Sequence, residues 1–242
     1  MSLSSSVGLA LYGTTQPPVE MESVQVGSLS FQAEGAQLRH LVFHGQEVVR
    51  SAGLVIRDSH WGTHELCQLR CQTDTRDGAW SRRIEGVVGE GDSAPVLDWA
   101  LEMEVSDDGL SISTELNAYR DFPTCRAGLM VLHPLNGVVG VPVSVLHSDG
   151  RVERGCFPEL ISPSQPFFDI KGLTYTPAPG LVLEWTFDGD VFEMEDQRNW
   201  SDASFKTYNR PLALPCPYVI GAGESIRQCV ALNLSGDRRG IQ

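Results

Sequence analysis

The polar residues best suited to chemistry are concentrated between residues 188 and 208. Glu193 and Glu195 alternate there with Phe192 and Met194, so on a β-strand the two carboxylates would share one face about 7 Å apart. Two carboxylates at that separation repel each other unless a cation, a proton or a ligand hydroxyl lies between them. We therefore expect a polar site at this strand.

The residues after these carboxylates supply the groups that a polyol or sugar-acid site requires. Arg198 or Lys206 could hold a substrate carboxylate or a developing oxyanion, and a carboxylate of this run could position water as a general base. The alternative is a surface loop held by its own ion pairs, such as Asp202 with Lys206. The candidate catalytic residues are Glu195, Asp196, Arg198 and His147, and the candidate substrate-binding residues are Glu193, Gln197, Asn199, Asp202, Lys206 and His133.

Two of these candidates are histidines outside the acidic run. His133 follows an apolar segment, and His147 stands beside the Asp149-Gly150 pair. A histidine in a loop titrates near neutral pH and can carry a proton. The alternative for each is a structural role, and for His147 an exposed position in a turn.

A third group of residues suits zinc by ligand type but not by spacing. His60, His64, Cys67 and Cys71 match no common zinc module, and the favoured interpretation is that the cysteines are packed or idle. The sequence also has no phosphate loop, dinucleotide fingerprint or serine-nucleophile elbow. We expect no metal and no cofactor.

The elements that must position these residues are strands joined by tight turns. Apolar residues alternate with polar ones over 99–105 and 110–116, with a turn at 106–109 between them, and this pattern predicts a hairpin with one buried face. Further strands are predicted over 29–33, 38–43 and 48–56.

Four Asp-Gly pairs, at Asp77, Asp108, Asp149 and Asp188, favour turns between antiparallel strands. The last of them predicts that the strand 181–187 turns and that residues 190–195 run back beside it. We therefore expect an all-β fold, a large antiparallel β-sandwich forming a single domain over residues 1–242, with an N-terminal arm (1–20) and a C-terminal tail (235–242).

Charge and composition exclude several classes of partner. The 242-residue chain has 18 Lys and Arg against 31 Asp and Glu, a net charge of −13. Nucleic acids and anionic membranes bind cationic surfaces, so neither is an expected partner. No signal peptide is recognised at the N-terminus and six cysteines are irregularly spaced, so the expected location is the cytoplasm, with reduced thiols.

Several stretches of the chain, taken together and in order, resemble the N-terminal region of the D-apionate lactonase family. The resemblance implies a β-rich domain and, for complete members, hydrolysis of D-apionolactone to D-apionate in bacterial apiose breakdown. Members of the family are considerably longer than this chain. The matching stretches are Leu11–Thr14, Arg57-Asp58 with Trp61–Thr63, His133-Pro134 with His147–Gly150, and Phe192–Tyr208 with Arg210–Leu212.

The leading hypothesis is a hydrolase acting on a small sugar-acid lactone. Glu195 or Asp196 would activate water, His147 would carry a proton, and Arg198 and Lys206 would stabilise the tetrahedral oxyanion. Two alternatives stay open. One is a non-catalytic carbohydrate-binding or partner-docking β-sandwich, with a barrel-type partner domain or a second copy of the chain; the other is a mutarotase-like epimerase that uses one Glu and one His.

Overall fold

The computed structural model of the chain describes residues 9–10, 21–89 and 94–236. Most of the predicted N-terminal arm, the stretch Leu11–Thr14 and residues 237–242 lie outside this part. Ser235 and Gly236, the first residues of the predicted tail, end the last strand. Nearly all regular structure is antiparallel β, which confirms the predicted fold class.

Seven strands form the first sheet, in the order β1-β2-β3-β4-β10-β16-β15, and every neighbouring pair is antiparallel. Their bounds are β1 Glu22–Val26, β2 Leu29–Glu34, β3 Gln37–Phe43, β4 Gln46–Arg57, β10 Arg126–Pro134, β15 Glu193–Asp196 and β16 Ser204–Tyr208. A short 3₁₀ turn, Gln197–Trp200, follows β15. The strands predicted over 29–33, 38–43 and 48–56 are confirmed as β2, β3 and part of β4.

Nine strands form the second sheet, in the order β12-β11-β13-β14-β18-β8-β7-β6-β5. Their bounds are β5 Cys67–Arg76, β6 Ala79–Val88, β7 Leu97–Ser106, β8 Gly109–Ala118, β11 Pro142–His147, β12 Val152–Cys156, β13 Ile170–Ala178, β14 Leu181–Asp188 and β18 Ser225–Gly236. A separate two-stranded ribbon joins β9 (Phe122–Thr124) to β17 (Tyr218–Ile220).

The core lies between the two sheets because each strand buries alternate side chains. In β7, Trp99, Leu101 and Met103 are buried whereas Glu102 and Glu104 are exposed, as the period-two pattern predicted. β10 and β4 of the seven-stranded sheet contact β8 of the nine-stranded sheet, and β10 also contacts β18. The molecule is thus a sandwich with its core between the two sheets.

Three of the four Asp-Gly pairs lie between antiparallel neighbours, as predicted, and the fourth does not. The chain passes Asp188-Gly189 and leaves the nine-stranded sheet, and β15 pairs with β16 of the other sheet. The predicted hairpin between 181–187 and 190–195 was therefore wrong. Both edges of β14 are already occupied, by β13 and β18, so the returning chain cannot pair with β14 and pairs with the edge of β16 instead.

The nine-stranded sheet ends in a strand that has little tertiary support. All ten residues of β5 are exposed, on both faces, and within the described part of the chain the strand pairs only with β6. Cys67 and Cys71 are among these exposed residues. β5 thus extends past the region where the two sheets cover each other.

Candidate functional site on the outer face of the seven-stranded sheet

β15 and β16 place the two predicted glutamates opposite an aromatic and a cationic residue. Glu193 is in register with Tyr208 and Glu195 with Lys206, and residues directly opposite on antiparallel strands project from the same face. Met194 and Thr207 occupy the inner face and are buried. The predicted sharing of one face by Glu193 and Glu195 agrees with this register.

Glu195 is held by three neighbours. Its Oε1 accepts a hydrogen bond from Trp200 Nε1 (3.0 Å) and its Oε2 one from Gln197 Nε2 (2.7 Å). Lys206 Nζ lies 3.7 Å from the same Oε2. The ammonium therefore pairs with Glu195 and not with Asp202, contrary to the ion pair suggested by the sequence.

Glu193 is buried and only partly satisfied. Its Oε1 accepts hydrogen bonds from the Tyr208 hydroxyl (2.6 Å) and from the Leu212 backbone N–H (2.8 Å). Its Oε2 is buried without a hydrogen-bond partner in the described structure. Burial, followed by the hydrogen bond to Glu193, raises the pKa of Tyr208, so the phenol remains a donor. The second oxygen of Glu193 therefore keeps an unused capacity to accept a hydrogen bond.

Arg126, which was not among the predicted site residues, completes this face. The buried Leu129 and Val131 of β10 point into the core, so Arg126 and Met130 share the outer face by alternation. The guanidinium carbon of Arg126 lies 3.8 Å from the centre of the Tyr208 ring and 5.4 Å from that of the Trp61 ring. The residue is 5% exposed, and its Nε is buried without an acceptor.

Arg57 stands next to Arg126, since the two residues are in register across β4 and β10. Its Nη1 donates to Thr63 Oγ1 (2.6 Å) and to the Trp61 carbonyl (3.0 Å). These bonds fasten the segment that carries the Trp61 ring to the end of β4. Arg57 thereby adds a second positive charge beside Arg126.

The charges on this face lower the basicity of Lys206. Burial, then the positive charges of Arg126 and Arg57, lower the pKa of Lys206 to about 8, while Glu195 opposes the shift. Burial also lowers the pKa of Arg126, although a guanidinium keeps its charge. Lys206 is therefore charged at neutral pH and close enough to its titration to exchange a proton.

These contacts form one continuous chain across the sheet, which we call the outer-face site. Trp200 bonds Glu195, Glu195 pairs with Lys206, Lys206 Nζ lies 5.2 Å from the centre of the Tyr208 ring, and that ring lies under Arg126. Partly exposed tryptophans stand at the two ends, Trp200 being 70% and Trp61 43% exposed. Such a row combines cations, carboxylates that can accept hydrogen bonds from hydroxyl groups, and apolar ring faces, as sites for small polar ligands do.

Asp196 and Arg198, two of the predicted catalytic residues, form an ion pair away from the outer-face site. Arg198 Nη2 lies 2.7 Å from Asp196 Oδ2, and the Asp196 side chain is fully buried. Arg198 also donates to the carbonyls of Pro158, Glu159 and Leu160. We call this arrangement the Asp196–Arg198 clasp.

The clasp orders the loop over residues 158–164. Asp196 accepts from the Ser162 N–H (2.9 Å), and Asn199 donates to the Ser162 carbonyl (2.6 Å). Burial alone raises the pKa of Asp196, but the hydrogen bonds from Arg198 and from the Ser162 N–H outweigh it, so the pKa lies below its usual value. A carboxylate neutralised in this way is poorly placed to act as a base.

His133 lies between the two sheets rather than at the surface. It is completely buried, with Nδ1 3.1 Å from the Tyr175 hydroxyl and Nε2 2.9 Å from Thr207 Oγ1. Burial lowers its pKa to about 3, so the ring is neutral at physiological pH. His133 therefore cannot contact a ligand on the outer face directly.

His147 lies in the nine-stranded sheet, and its contacts are with that part of the molecule. Its Nδ1 donates to the Asp169 carbonyl (3.1 Å), and Nε2 lies 3.2 Å from the Glu153 carboxylate. Glu193 and Glu195 have no histidine among their hydrogen-bond partners in the described residues. The structure therefore separates His147 from the carboxylates with which the sequence analysis grouped it.

The remaining predicted residues divide between the two regions. Gln197 belongs to the outer-face site and Asn199 to the clasp. Asp202, half-buried, donates its backbone N–H to the Gln197 carbonyl at the end of the 3₁₀ turn. Predictions and structure thus agree in grouping Glu193, Glu195, Gln197 and Lys206, and the roles assigned to these residues remain predictions.

Some of the missed residues carried a signal in the sequence. Arg57, Trp61 and Tyr208 lie in stretches that resemble the D-apionate lactonase family, although none was chosen as a site residue. Arg126 has a different signal, since it is a lone cation at the start of an apolar strand. A charged residue in such a strand requires either a partner or a ligand.

The described residues contain no cluster of three or more His, Cys, Asp or Glu arranged to hold a metal ion. In the same part of the chain, no helix is long and apolar enough to cross a membrane.

Comparison with known proteins identifies the family and the fold. The family model of the D-apionate lactonase N-terminal domain matches residues 9–237. A D-apionate lactonase of Brucella anthropi is 38% identical over 230 residues, which are 95% of this chain and 38% of that protein. The chain thus spans well under half the length of this relative.

Solved structures with little sequence identity share the fold. A galactose mutarotase-like protein of Lactobacillus casei matches with a TM-score of 0.58 at 11% identity, covering 89% of this chain and all of that one. A putative aldose 1-epimerase of Escherichia coli K12 matches at 0.52 and 10%, covering 91% of this chain and all of that one. An α-galactosidase of Lactobacillus brevis matches at 0.54 and 8%, covering 90% of this chain and 40% of that protein. The β-sandwich therefore occurs both as a whole protein and as part of a longer chain.

Proposed function

The chain belongs to the D-apionate lactonase N-terminal domain family. We propose that it is the N-terminal part of a hydrolase that opens a sugar-acid lactone. The proposed reaction is D-apionolactone to D-apionate. The observation that supports a role for this chain is the outer-face site, where Glu195, Lys206 and Arg126 lie along one row of contacts. Lactone opening needs a proton acceptor and a stabilised oxyanion, and this row contains candidates for both.

The proposed chemistry is addition of water to the lactone carbonyl. The water oxygen bonds to the carbonyl carbon while its proton passes to Glu195, and Lys206 and Arg126 stabilise the oxyanion. The bond from that carbon to the ring oxygen then breaks, the ring oxygen takes the proton as a hydroxyl, and the acid ionises. Glu193 Oε2, buried without a partner, accepts a hydrogen bond from a substrate hydroxyl.

A mutarotase-like reaction is less well supported by the geometry. An epimerase of the type considered would need a histidine beside one of the carboxylates. His133 is enclosed between the sheets, and His147 contacts Asp169 and Glu153. The likeness to an epimerase and to a mutarotase-like protein therefore supports the fold alone. The positions of the two histidines make lactone hydrolysis the better supported reaction.

A non-catalytic sugar-acid-binding domain is the second candidate function. Both oxygens of Glu195 already accept hydrogen bonds, which weakens the residue as a base. The chain also spans only 38% of the Brucella lactonase. In that case the outer-face site would bind the sugar acid and the reaction would take place elsewhere in a longer enzyme.

The test is an assay of D-apionolactone hydrolysis by the 242-residue chain. The reaction is monitored by titrating the released acid at constant pH. If the chain is catalytic, Glu195→Gln is expected to lower kcat by roughly 10²–10⁴ and Lys206→Met by roughly 10²–10³. Glu102→Gln serves as a matched control, because Glu102 lies on the outer face of the other sheet in an ion pair with Arg83.

The outcomes separate the two candidates. Turnover that falls in both site variants and not in the control supports the hydrolase. Saturable sugar-acid binding without turnover supports the binding domain. Turnover that is unchanged in both site variants would contradict a catalytic role for the outer-face site.

A further inference from the structure

Arg126 is a buried charge without a direct ion-pair partner among the described residues. The residue is 5% exposed, its Nε has no acceptor, and no carboxylate forms an ion pair with it in the described residues. Removing an ion from water costs several kcal/mol unless an opposite charge or hydrogen bonds compensate. The rings of Tyr208 and Trp61 supply only part of that compensation, as cation–π contacts.

The Arg126 guanidinium has a hydrogen-bonding edge as well as its two faces. The guanidinium lies over the ring of Tyr208 and that of Trp61, and its N–H bonds point within its own plane. A carboxylate matches that edge, because its two oxygens can accept two parallel hydrogen bonds.

Neither carboxylate on this face forms a direct ion pair or hydrogen bond with Arg126, although the charges of both act on it. Glu193 Oε1 is occupied by Tyr208 and Leu212, and Glu195 is occupied by Trp200, Gln197 and Lys206. The N–H groups of Arg126 could therefore pair with a carboxylate that a ligand supplies.

The local balance of charge favours an anion although the whole chain is acidic. Three cations, Arg57, Arg126 and Lys206, share this face with two carboxylates, Glu193 and Glu195, whereas the chain carries a net charge of −13. The unpartnered Glu193 Oε2 adds an acceptor for a hydroxyl. Together these groups fit a molecule with one carboxylate and several hydroxyls.

We infer that Arg126 is the carboxylate subsite of the outer-face site, so that the site binds an open-chain hydroxy acid more tightly than a neutral molecule with the same hydroxyls. For the identity of the acid, D-apionate, this inference rests on the proposed function. The site then favours the product over the neutral lactone, and accumulated product inhibits the enzyme.

The experiment is isothermal titration of the 242-residue chain with D-apionate and with D-apionamide, which keeps the hydroxyls and lacks the charge. The acid is expected to bind at least about tenfold more tightly, the usual effect of charge-assisted hydrogen bonds. Arg126→Met is expected to remove this preference. Arg83→Met, which removes an exposed arginine on the other sheet, is expected to keep it.

The folding of Arg126→Met is checked by near-ultraviolet circular dichroism. If that variant misfolds, a second variant, Arg57→Met, still tests the inference. Arg57→Met removes the neighbouring charge from a half-buried position and is expected to reduce the preference several-fold. Equal binding of acid and amide by the unaltered chain would overturn the inference, as would a folded Arg126→Met that keeps the preference. A preference for the acid without lactone hydrolysis by the full-length enzyme would contradict the proposed function and leave the inference standing.

Discussion

At the scale of single residues, His133 shows how a chemically reactive side chain can serve the fold. The sequence placed it among candidate ligand-binding groups because a histidine titrates near neutral pH. In the structure its two ring nitrogens face Tyr175 and Thr207 inside the sandwich. Burial by residues distant in the sequence decides this role, and no local pattern around His133 reports it.

This burial makes folding stability depend on pH. The pKa of His133 is lowered from 6.5 to about 3, so between these values the unfolded chain binds a proton that the folded chain does not. The contribution of neutral His133 to the free energy of unfolding is fully present above about pH 6.5 and is lost as the pH falls toward 3. From about pH 7 to about pH 4 we expect a loss of about 3 kcal/mol from this residue.

The measurement is urea unfolding across that pH range for the unaltered chain and for His133→Gln. The glutamine keeps hydrogen-bonding groups near Tyr175 and Thr207 but does not titrate. Its unfolding free energy should fall less steeply with decreasing pH. Parallel pH profiles for the two proteins would show that His133 does not carry the effect.

Arg126 is the opposite case, a candidate site residue that was not predicted from the sequence. It stands between Cys125 and Ala127 at the start of an apolar strand, and nothing nearby in the sequence indicates which groups surround it. The strands that supply Tyr208 and Arg57 come from distant parts of the chain. The acidic run around Glu193 was recognisable because its polar residues are contiguous, whereas the cationic half of the site is assembled by the sheet.

At the scale of elements, β15 shows where strand prediction succeeded and where pairing prediction failed. The alternation of Glu193 and Glu195 with Phe192 and Met194 was sufficient to predict which side chains share a face. The partner strand depended on which sheet edges were free. β14 had none, because β13 and β18 flank it, and this information is not local to the Asp188-Gly189 turn.

The Asp196–Arg198 clasp is the element that should be most sensitive to substitution. Arg198→Met would leave the buried Asp196 carboxylate without its cation and three loop carbonyls without their donor. We expect it to lower the free energy of unfolding by about 3–5 kcal/mol. Arg83→Met, which breaks exposed ion pairs, should cost less than about 1 kcal/mol.

Equilibrium urea unfolding of both variants measures this difference. The double variant Asp196→Asn, Arg198→Met should cost less than the sum of the two single changes, since each single change already breaks the pair. Equal effects of Arg198→Met and Arg83→Met would contradict the structural role of the clasp.

At the scale of the whole molecule, alternation and turns were sufficient for the all-β fold because both are local properties. Trp99, Leu101 and Met103 lie in the core as their spacing predicted. The difference in size between the sheets was not predictable in the same way. The residues of β5 read as an ordinary polar segment, and only the assembled sandwich shows that the strand extends past the cover of the seven-stranded sheet.

β5 is an edge strand with few contacts to hold it against local opening. β5 buries none of its ten residues and, among residues 21–89 and 94–236, is attached by a single ladder to β6, so detaching it breaks few apolar contacts. Its amide protons should exchange with deuterated water much faster than those of β10, which is paired on both sides, and a protease in limiting amount should cut first between residues 67 and 76. Uniform protection of both strands in mass spectrometry would mean that another surface holds β5 in place.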